Sequence, residues 1–310
     1  MEGNVISRRS AVALLGGASV RAFFRHGQPR FIFPETQKAS ESLVQADSPP
    51  VLLPGEPMSP ERMSVIEEFQ KNSEGLEKKY EAHALKSDWT MPYRLFRPSQ
   101  SGKLPLVVYL HGSGGQGDDN EKQLQFGNTF GTRVWLLPQN QREFPCYVVA
   151  PQTDRGWVRY DAAQLDQGVV KMIPGLGEGC RLALEVVDEL VCKLPIDDRR
   201  IYVTGQSMGG GGVWNMTAFR KNLFAAAAPL CGSITLDDPA QSAETPFWVF
   251  HGDSDDTVPP AASRDRVAAL RKAGARPLYT EYAGVDHEVW RWAYTEPALV
   301  HWMFSQRRSS

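Results

Sequence analysis

The chain has 310 residues, of which 42% are hydrophobic and 23% charged, and its formal net charge at pH 7 is −2. This composition is typical of a globular protein, and the length suits one large domain with an N-terminal extension. The small net charge provides no basic field for DNA or RNA, so a nucleic-acid-binding module is not expected. No apolar run approaches the ~20 residues that cross a bilayer, so no membrane span is expected.

The N-terminal residues have the pattern of an export signal. Arg8 and Arg9 precede a short apolar segment, and Val20-Arg21-Ala22 offers a cleavage site with small residues. Residues 1–22 thus resemble a bacterial twin-arginine signal. We expect export to the periplasm or the medium, with a cytoplasmic location as the alternative.

The remaining chain divides at about residue 80. Residues 23–80 begin with a stretch rich in Pro, Ser and Gln and are expected to form a linker or a loosely packed arm. In the predicted catalytic domain, residues 81–310, short apolar runs alternate with helical patterns. Strands are predicted at 104–110, 146–150, 200–204, 224–230, 247–250 and 278–282, and helices at 181–194, 208–219 and 261–273.

This alternation predicts an α/β fold with a mostly parallel central sheet and helices on both faces. Continuous apolar strands are buried on both sides, as they are when helices connect parallel strands. In such sheets the chemistry lies at the carboxyl ends of the strands. Each motif described below follows a predicted strand.

The segment Gly205-Gln206-Ser207-Met208-Gly209 has the G-x-S-x-G pattern of a nucleophile elbow. It follows a predicted strand and opens a predicted helix, which is the context that such an elbow requires. The sharp turn strains the serine backbone and leaves room only for small flanking residues. The helix N-terminus favours negative charge that develops next to the serine. Ser207 is therefore the predicted nucleophile, and Gly210 to Gly212 would let the helix approach the sheet closely.

A serine nucleophile needs a base, and in this type of site the chain order is Ser, Asp or Glu, then His. Three histidines follow Ser207. His251 precedes the acidic loop, and His301 lies in a terminal helical pattern beside Trp302. His287 follows the last predicted strand, where the base is expected.

The acid is expected in the loop Asp253-Ser254-Asp255-Asp256. Asp255 is the predicted partner of the imidazole, while Asp253 and Asp256 are expected to shape the turn. Asp286 places a further carboxylate beside His287. It should raise the pKa of the base if it faces the ring, and otherwise only shape the turn.

The remaining site residues follow from the loops around the elbow. The N–H groups of Met208 and of Ser113, in the loop after strand 104–110, are the predicted oxyanion donors. His111 is expected to brace that loop. Gln152, Trp157 and Trp290 are predicted to line the substrate cleft. The segment between Gly112 and Phe144 is long for a connection between a strand and a helix, and it is expected to contribute a cap over the site, with an apolar patch at 135–138.

The four cysteines do not suggest a metal centre. No CxxC pair occurs, and no histidine stands at ligand spacing, so no metal and no cofactor are expected. Buried free thiols are favoured, and one disulfide stays open if the protein is exported. The cysteines are Cys146, Cys180, Cys192 and Cys231.

Several segments resemble bacterial carboxylesterases of the α/β-hydrolase superfamily, in the phospholipase/carboxylesterase and dienelactone-hydrolase-like group. The resemblance covers residues 93–303 and rests on LHGSGGQGDDNEKQLQFG, PCYVVAPQ, GQSMGGGGVW, HGDSDDTVP and GVDHEVW. It implies a single-domain serine esterase without a cofactor, acting through an acyl-enzyme. The chain departs from it at Gly115-Gln116-Gly117, where such relatives often have Glu-Arg-Gly.

A cleft lined by the predicted tryptophans would suit a small-molecule or polysaccharide-linked ester as substrate, such as a carbohydrate acyl ester or an aryl ester. A serine peptidase of the prolyl-oligopeptidase type stays an alternative, because its triad chemistry is the same. A non-catalytic binding protein on the same fold is a further alternative. The sequence does not define the oligomeric state.

Overall fold

The computed structural model describes residues 30–32, 57–165, 169–236, 238 and 241–309. The predicted export signal at residues 1–22 lies outside them. The strands are β1 (Arg30–Ile32), β2 (Glu81–Lys86), β3 (Thr90–Phe96), β4 (Leu104–Leu110), β5 (Tyr147–Pro151), β6 (Val158–Tyr160), β7 (Val169–Leu176), β8 (Ile196–Gln206), β9 (Ala226–Leu230), β10 (Trp248–Gly252) and β11 (Leu278–Tyr282).

The helices lie between and after these strands. They are α1 (Pro60–Ser73), α2 (Thr129–Arg133), α3 (Pro138–Glu143), α4 (Ala162–Leu165), α5 (Glu178–Lys193), α6 (Met208–Phe219), α7 (Ala261–Lys272), α8 (Trp290–Ala293) and α9 (Pro297–Ser305). Single 3₁₀ turns occur at Leu76–Lys79, Ser113–Gly115, Lys122–Leu124, Phe126–Asn128 and Val134–Leu136. No helix in this described part of the chain is long and apolar enough to cross a membrane.

The main sheet has eight strands in the order β11-β10-β9-β8-β4-β5-β3-β2. All neighbours from β11 to β5 are parallel, and β3 runs antiparallel to both β5 and β2. The predicted mostly parallel sheet is therefore confirmed.

Alternate residues of each central strand pack into two different cores. In β4, Val107 and Tyr109 join one cluster, while Leu106, Val108 and Leu110 join the other. Helices α1, α8 and α9 cover the first face, and α5, α6 and α7 cover the second. Burial on both faces explains why the strands are continuously apolar rather than alternating. The predicted layers on both sides of the sheet are confirmed.

A small second sheet was not predicted. Strand β7 pairs antiparallel with β6 and parallel with β1. Its sequence contains Pro174 and Gly175, residues that normally interrupt a strand, and β6 has only 3 residues. In both segments the uninterrupted apolar run is too short to predict a strand from the sequence.

The predicted arm is wrong for residues 60–80, because helix α1 is part of the packed domain. The Ser59 side chain caps it by accepting a hydrogen bond from the Arg62 N–H. Ile66 and Phe69 are buried in the first core, and the Phe69 ring stacks on Phe130 with centroids 5.1 Å apart. Most other positions of α1 are polar or charged, so its narrow apolar stripe is a weak sequence signal.

Arg62 ties α1 to the C-terminal end of α8. Its guanidinium donates to the Trp292 carbonyl at 2.6 Å and to the Thr295 carbonyl at 3.1 Å, in a buried position. Carbonyls at the end of a helix have no partner within the helix, and a cation is favourable there. The N-terminal helix thereby supports the segment that carries Trp290.

Replacing Arg62 with Ala should remove the charged donor from both buried carbonyls and leave the Trp292 carbonyl with only the Thr295 hydroxyl at 3.2 Å. We expect the free energy of unfolding to fall by about 2–3 kcal/mol, as for other buried charged hydrogen bonds. Urea denaturation would measure the change. The matched control is Lys71→Ala on the exposed face of α1, which should change stability by less than about 0.5 kcal/mol. Equal effects of the two variants would contradict the role of Arg62.

Candidate active site

The turn between β8 and α6 places Ser207 in a strained backbone conformation. Ser207 has φ 55° and ψ −120°, and its side chain stands at the start of α6. Its N–H donates to the Leu230 carbonyl at 2.9 Å, and its carbonyl accepts from the Gly211 N–H at 3.1 Å. These bonds hold the strained residue between two parallel strands and the helix. Such strain at a serine is characteristic of a nucleophile elbow.

The glycines of the elbow are required by close contacts. A Cβ at Gly205 would lie 2.7 Å from the Leu110 carbonyl oxygen, and one at Gly209 would lie 2.0 Å from the same atom. At Gly210 it would lie 2.4 Å from the Leu230 carbonyl oxygen. No side chain fits at these distances, so α6 approaches the sheet only because these positions lack one.

The structure brings the three predicted triad residues together. His287 Nδ1 donates to Asp255 Oδ2 at 2.7 Å, and Ser207 Oγ donates to His287 Nε2 at 2.8 Å. Ser207 follows β8, Asp255 follows β10 and His287 follows β11, so parallel neighbouring strands deliver all three at one edge of the sheet. The Asp255 side chain is fully buried and that of His287 is 18% exposed.

Asp255 is held by several donors in addition to His287. Its Oδ1 accepts from the Thr257 and Val258 N–H groups, both at 2.9 Å. Burial alone would raise the pKa of this carboxyl, but hydrogen bonds from His251, His287 and the Val258 N–H hold it below its ordinary value. Asp255 therefore stays ionised beside the imidazole.

His251 is a member of the site that the sequence did not reveal. Its fully buried ring lies with Nε2 3.2 Å from Asp255 Oδ2 and 2.9 Å from the Val258 carbonyl oxygen. Ser263 Oγ lies 2.7 Å from Nδ1. These contacts fit a tautomer with the proton on Nε2, in which His251 orients the acid from behind. Its place near the end of β10, four residues before the acid, is the signal that could have indicated this.

The other carboxylates near the triad shape turns. Asp253 accepts from the Gly284 N–H at 2.8 Å, and Asp256 accepts from the Thr257 hydroxyl at 3.3 Å. Asp286 is exposed and accepts from the Glu288 N–H at 3.0 Å. Of the two outcomes open for Asp286, the structure therefore supports the one in which it only shapes the turn.

The pKa of His287 is set by opposing effects. Burial of the ring lowers it, but the hydrogen bond and the charge of Asp255 act against burial and raise it above its ordinary value. The imidazolium is accordingly stabilised. This is the state that a base at this position would reach on taking a proton from Ser207.

Cys231 lies beside the base and gives the site a group of potential metal ligands. Cys231, Asp255 and His287 each offer a ligand atom, and these atoms lie within 4.8 Å of one another. Asp255 and His287 already share a 2.7 Å hydrogen bond, and burial raises the pKa of the Cys231 thiol, which disfavours the thiolate that metals bind. The geometry fits the hydrogen-bonded pair better than an ion. All four cysteines are free, and of these only Cys192 is exposed.

Each of the two predicted oxyanion donors begins a helical segment. Met208 is the first residue of α6, and Ser113 is the first residue of its 3₁₀ turn. First residues have N–H groups that bonding within the helix leaves free. Both N–H groups are thus free of partners within their helical segments, which is compatible with the predicted role.

A buried hydrogen-bond network joins the elbow to the loop that follows β4 and carries Gly112 and Ser113, called the oxyanion loop below. Asn128 Oδ1 accepts from the Gly112 N–H and from the Tyr109 hydroxyl, both at 3.0 Å. The same hydroxyl lies 3.1 Å from Gln206 Oε1, on the residue before the nucleophile. The network fixes the loop that carries Ser113 relative to Ser207.

Two residues predicted to line the cleft are structural instead. Gln152 is fully buried and donates to the Gly115 carbonyl at 3.1 Å. Trp157 is also fully buried, and its indole N–H donates to the His111 carbonyl at 2.9 Å. His111 accepts from the Thr153 N–H, and burial lowers its pKa to about 4. All three side chains therefore support the oxyanion loop from the protein interior. This role was expected for His111, but not for Gln152 or Trp157.

Trp290 lies at the site, whereas the apolar patch at 135–138 does not. The Trp290 ring meets the His287 ring edge to face at 5.5 Å and is 8% exposed. Trp135, Leu136 and Leu137 are buried in the first core, where Trp135 packs against Tyr294 and Phe304. The expected apolar patch over the cleft is therefore part of the domain interior.

A cavity of about 500 Å³ lies in a different region, where β2 and β3 meet α5. Its lining includes Tyr93, Arg97, Glu189 and Lys193, and Tyr93 donates to Glu189 at 3.3 Å. It contains no residue of the triad or the oxyanion loop. We therefore place the candidate site at Ser207 and not in this cavity.

A model of the phospholipase/carboxylesterase family matches residues 97–294. The chain belongs to this family.

Individual relatives extend the comparison. The structure of a thermostable esterase is 32% identical, with a TM-score of 0.68, over 75% of this chain and 64% of that protein. A ferulic acid esterase shares the fold with a TM-score of 0.54 at 19% identity, over 73% of this chain and 99% of its own. Poly(3-hydroxyalkanoate) depolymerase C from Paucimonas lemoignei is 25% identical over 234 residues, which are 62% of this chain and 49% of the depolymerase. The chain thus spans about half the length of this curated relative.

The position of the acid can be tested with amide substitutions in this family member. Asp255→Asn removes the charge and favours the wrong tautomer of His287, so kcat should fall on the order of 10⁴-fold. The controls are Asp253→Asn and Asp256→Asn, which should each cost less than about tenfold because they disturb only turns. Steady-state kinetics on an aryl acetate would compare the three. The largest loss at Asp256 would contradict the assignment.

The pH profile tests the environment of the base. Because the pKa of His287 is raised, the base stays protonated up to a higher pH than an ordinary histidine, whose pKa is about 6.5. As the pH falls, kcat/KM should therefore begin to decline at a pH above about 6.5. Asp286→Asn should leave this acidic limb unchanged, since its side chain is exposed and bonded to the Glu288 N–H. A shift of the limb to lower pH in that variant would show that Asp286 acts on the imidazole.

Proposed function

We propose that the chain hydrolyses carboxylic esters through a covalent acyl-enzyme formed on Ser207. The observation that carries this proposal is the unbroken hydrogen-bonded series from Ser207 through His287 to Asp255, which starts at a strained elbow. Membership in the phospholipase/carboxylesterase family supports it.

In the first half of the proposed reaction, His287 Nε2 takes the proton of the Ser207 hydroxyl as Oγ attacks the ester carbonyl carbon. The carbonyl oxygen becomes an oxyanion and is received by the N–H groups of Met208 and Ser113. Collapse of this intermediate breaks the bond to the alcohol oxygen. His287 returns the proton to that oxygen, the alcohol leaves and the acyl group stays on Ser207.

In the second half, a water molecule takes the place of the alcohol. His287 removes its proton while the oxygen attacks the acyl carbon, and the same two N–H groups receive the oxyanion. The bond to Ser207 Oγ then breaks, His287 returns the proton to Oγ, and the carboxylic acid leaves. Asp255 keeps Nδ1 protonated throughout, so that Nε2 is always the atom that exchanges the proton.

We infer an ester substrate rather than a peptide from the family and from the 32% identical thermostable esterase. Aryl esters and carbohydrate acyl esters are the substrate classes that we propose. The depolymerase relative adds oligoesters of hydroxy acids to the compounds worth testing.

Covalent labelling tests the nucleophile. A fluorophosphonate should label Ser207, and Ser207→Ala should abolish both labelling and turnover of p-nitrophenyl acetate while the melting temperature changes little. Ser254→Ala is the matched control, since Ser254 is an exposed serine that only bonds Asp253, and it should be labelled and active. Turnover at the wild-type rate in Ser207→Ala would refute the mechanism.

A substrate panel with the wild-type protein then separates the alternatives. It comprises p-nitrophenyl esters, acetylated xylan, feruloyl esters, hydroxyalkanoate oligomers and peptide anilides. Higher kcat/KM for esters than for anilides is expected. The reverse order would favour the peptidase, and labelling of Ser207 without turnover of any compound would contradict ester hydrolysis.

A further inference from the structure

Phe126 combines two unfavourable features in one residue. Its side chain is 70% exposed, which leaves an apolar ring in water, and its φ is 53°. A bulky residue in the left-handed region is strained, and strain of this kind concentrates at functional sites. In the described part of the chain, the other non-glycine residues with a positive φ are Asn120, Ser207, Asn222 and Cys231, and of these Ser207 and Cys231 contact His287.

The backbone around Phe126 is firmly held. The Thr129 hydroxyl donates to the Phe126 carbonyl at 2.9 Å, and the Asn128 N–H donates to the Gln125 carbonyl at 3.0 Å. The Asn128 side chain also donates to the Lys122 carbonyl at 3.2 Å. Because the same side chain binds the oxyanion loop at Gly112, the position of Phe126 is fixed relative to the nucleophile.

Phe126 adjoins the base through its neighbour. A Cβ at Gly127 would lie 3.1 Å from the Trp290 ring, so the backbone of this loop packs directly on that indole. The Trp290 ring in turn contacts the His287 ring at 5.5 Å. Phe126 is therefore linked to the His287 ring through Gly127 and Trp290, and its exposed side chain belongs to a loop that packs on the side of the base.

The side of the cleft defines which part of an ester would meet Phe126. In the proposed reaction, His287 hands its proton to the departing alcohol oxygen, so the alcohol portion must lie next to His287. We propose that Phe126 is a specificity-determining residue that packs against an apolar, preferably aromatic, alcohol portion of the substrate. This inference rests on the proposed ester hydrolysis.

Esters that share an acetyl group and differ in the alcohol test this assignment. They form the same acetyl-enzyme, so any effect that depends on the alcohol must arise before the alcohol leaves. Phe126→Gly should lower kcat/KM for 2-naphthyl and benzyl acetate about tenfold, as expected for loss of a partly buried Phe contact. It should leave kcat/KM for ethyl acetate, and the rate of deacylation measured after a burst, within about twofold.

Stability separates this role from a structural one. Glycine adopts a positive φ without strain, so Phe126→Gly should melt at the same temperature as the wild type or higher. Phe219→Ala is the matched control, because Phe219 is a partly exposed phenylalanine at the far end of α6 and should change no ratio between the acetates.

The outcomes distinguish the two proposals. Equal losses on ethyl and 2-naphthyl acetate, or a slower deacylation in Phe126→Gly, would overturn the role of Phe126 and leave ester hydrolysis standing. A wild-type protein that turns over none of these acetates would overturn both.

Discussion

The close approach of α6 to β4 and β9 is the constraint on which the active site depends. The helix comes so near that side chains at Gly209 and Gly210 would collide with the carbonyls of Leu110 and Leu230. The chain must therefore turn from strand to helix within one residue, and Ser207 takes the strained conformation. Strain of this type costs about 1–3 kcal/mol and persists only where surrounding structure over-determines it. The two buried cores on either side of the sheet provide that structure.

The second requirement is a rigid oxyanion loop, and buried polar side chains meet it. Asn128 and Tyr109 hold the loop from one side, while Gln152 and His111 hold it from the other. A hydrogen-bond donor stabilises the oxyanion effectively only if it already points to the place where the charge develops. If the donor first had to move, the free energy of that movement would offset the stabilisation. These polar groups are thus buried for positional accuracy, which explains why they do not face the cleft.

The sequence predicted those parts of the protein whose cause is local in the chain. The elbow follows from its glycines, and the order of Ser207, Asp255 and His287 follows from the succession of strands. Side-chain depth depends on distant contacts, so the same sequence could not show that Trp157 lies beneath His111. Helix α1 was missed for a related reason, because its few buried residues pack against partners that lie far along the chain.

The hydrogen bonds of Arg62 reach across 230 and 233 positions of the chain. During synthesis from the N-terminus, α1 leaves the ribosome long before the carbonyls that it binds. The support for the segment bearing Trp290 therefore arrives only when nearly the whole domain has emerged. A nascent chain that already contains Ser207 and Asp255 still lacks His287 and the carbonyls that Arg62 binds. We therefore expect no hydrolytic activity before the C-terminal helices have left the ribosome. Late closure would keep a reactive serine inactive on the translating ribosome.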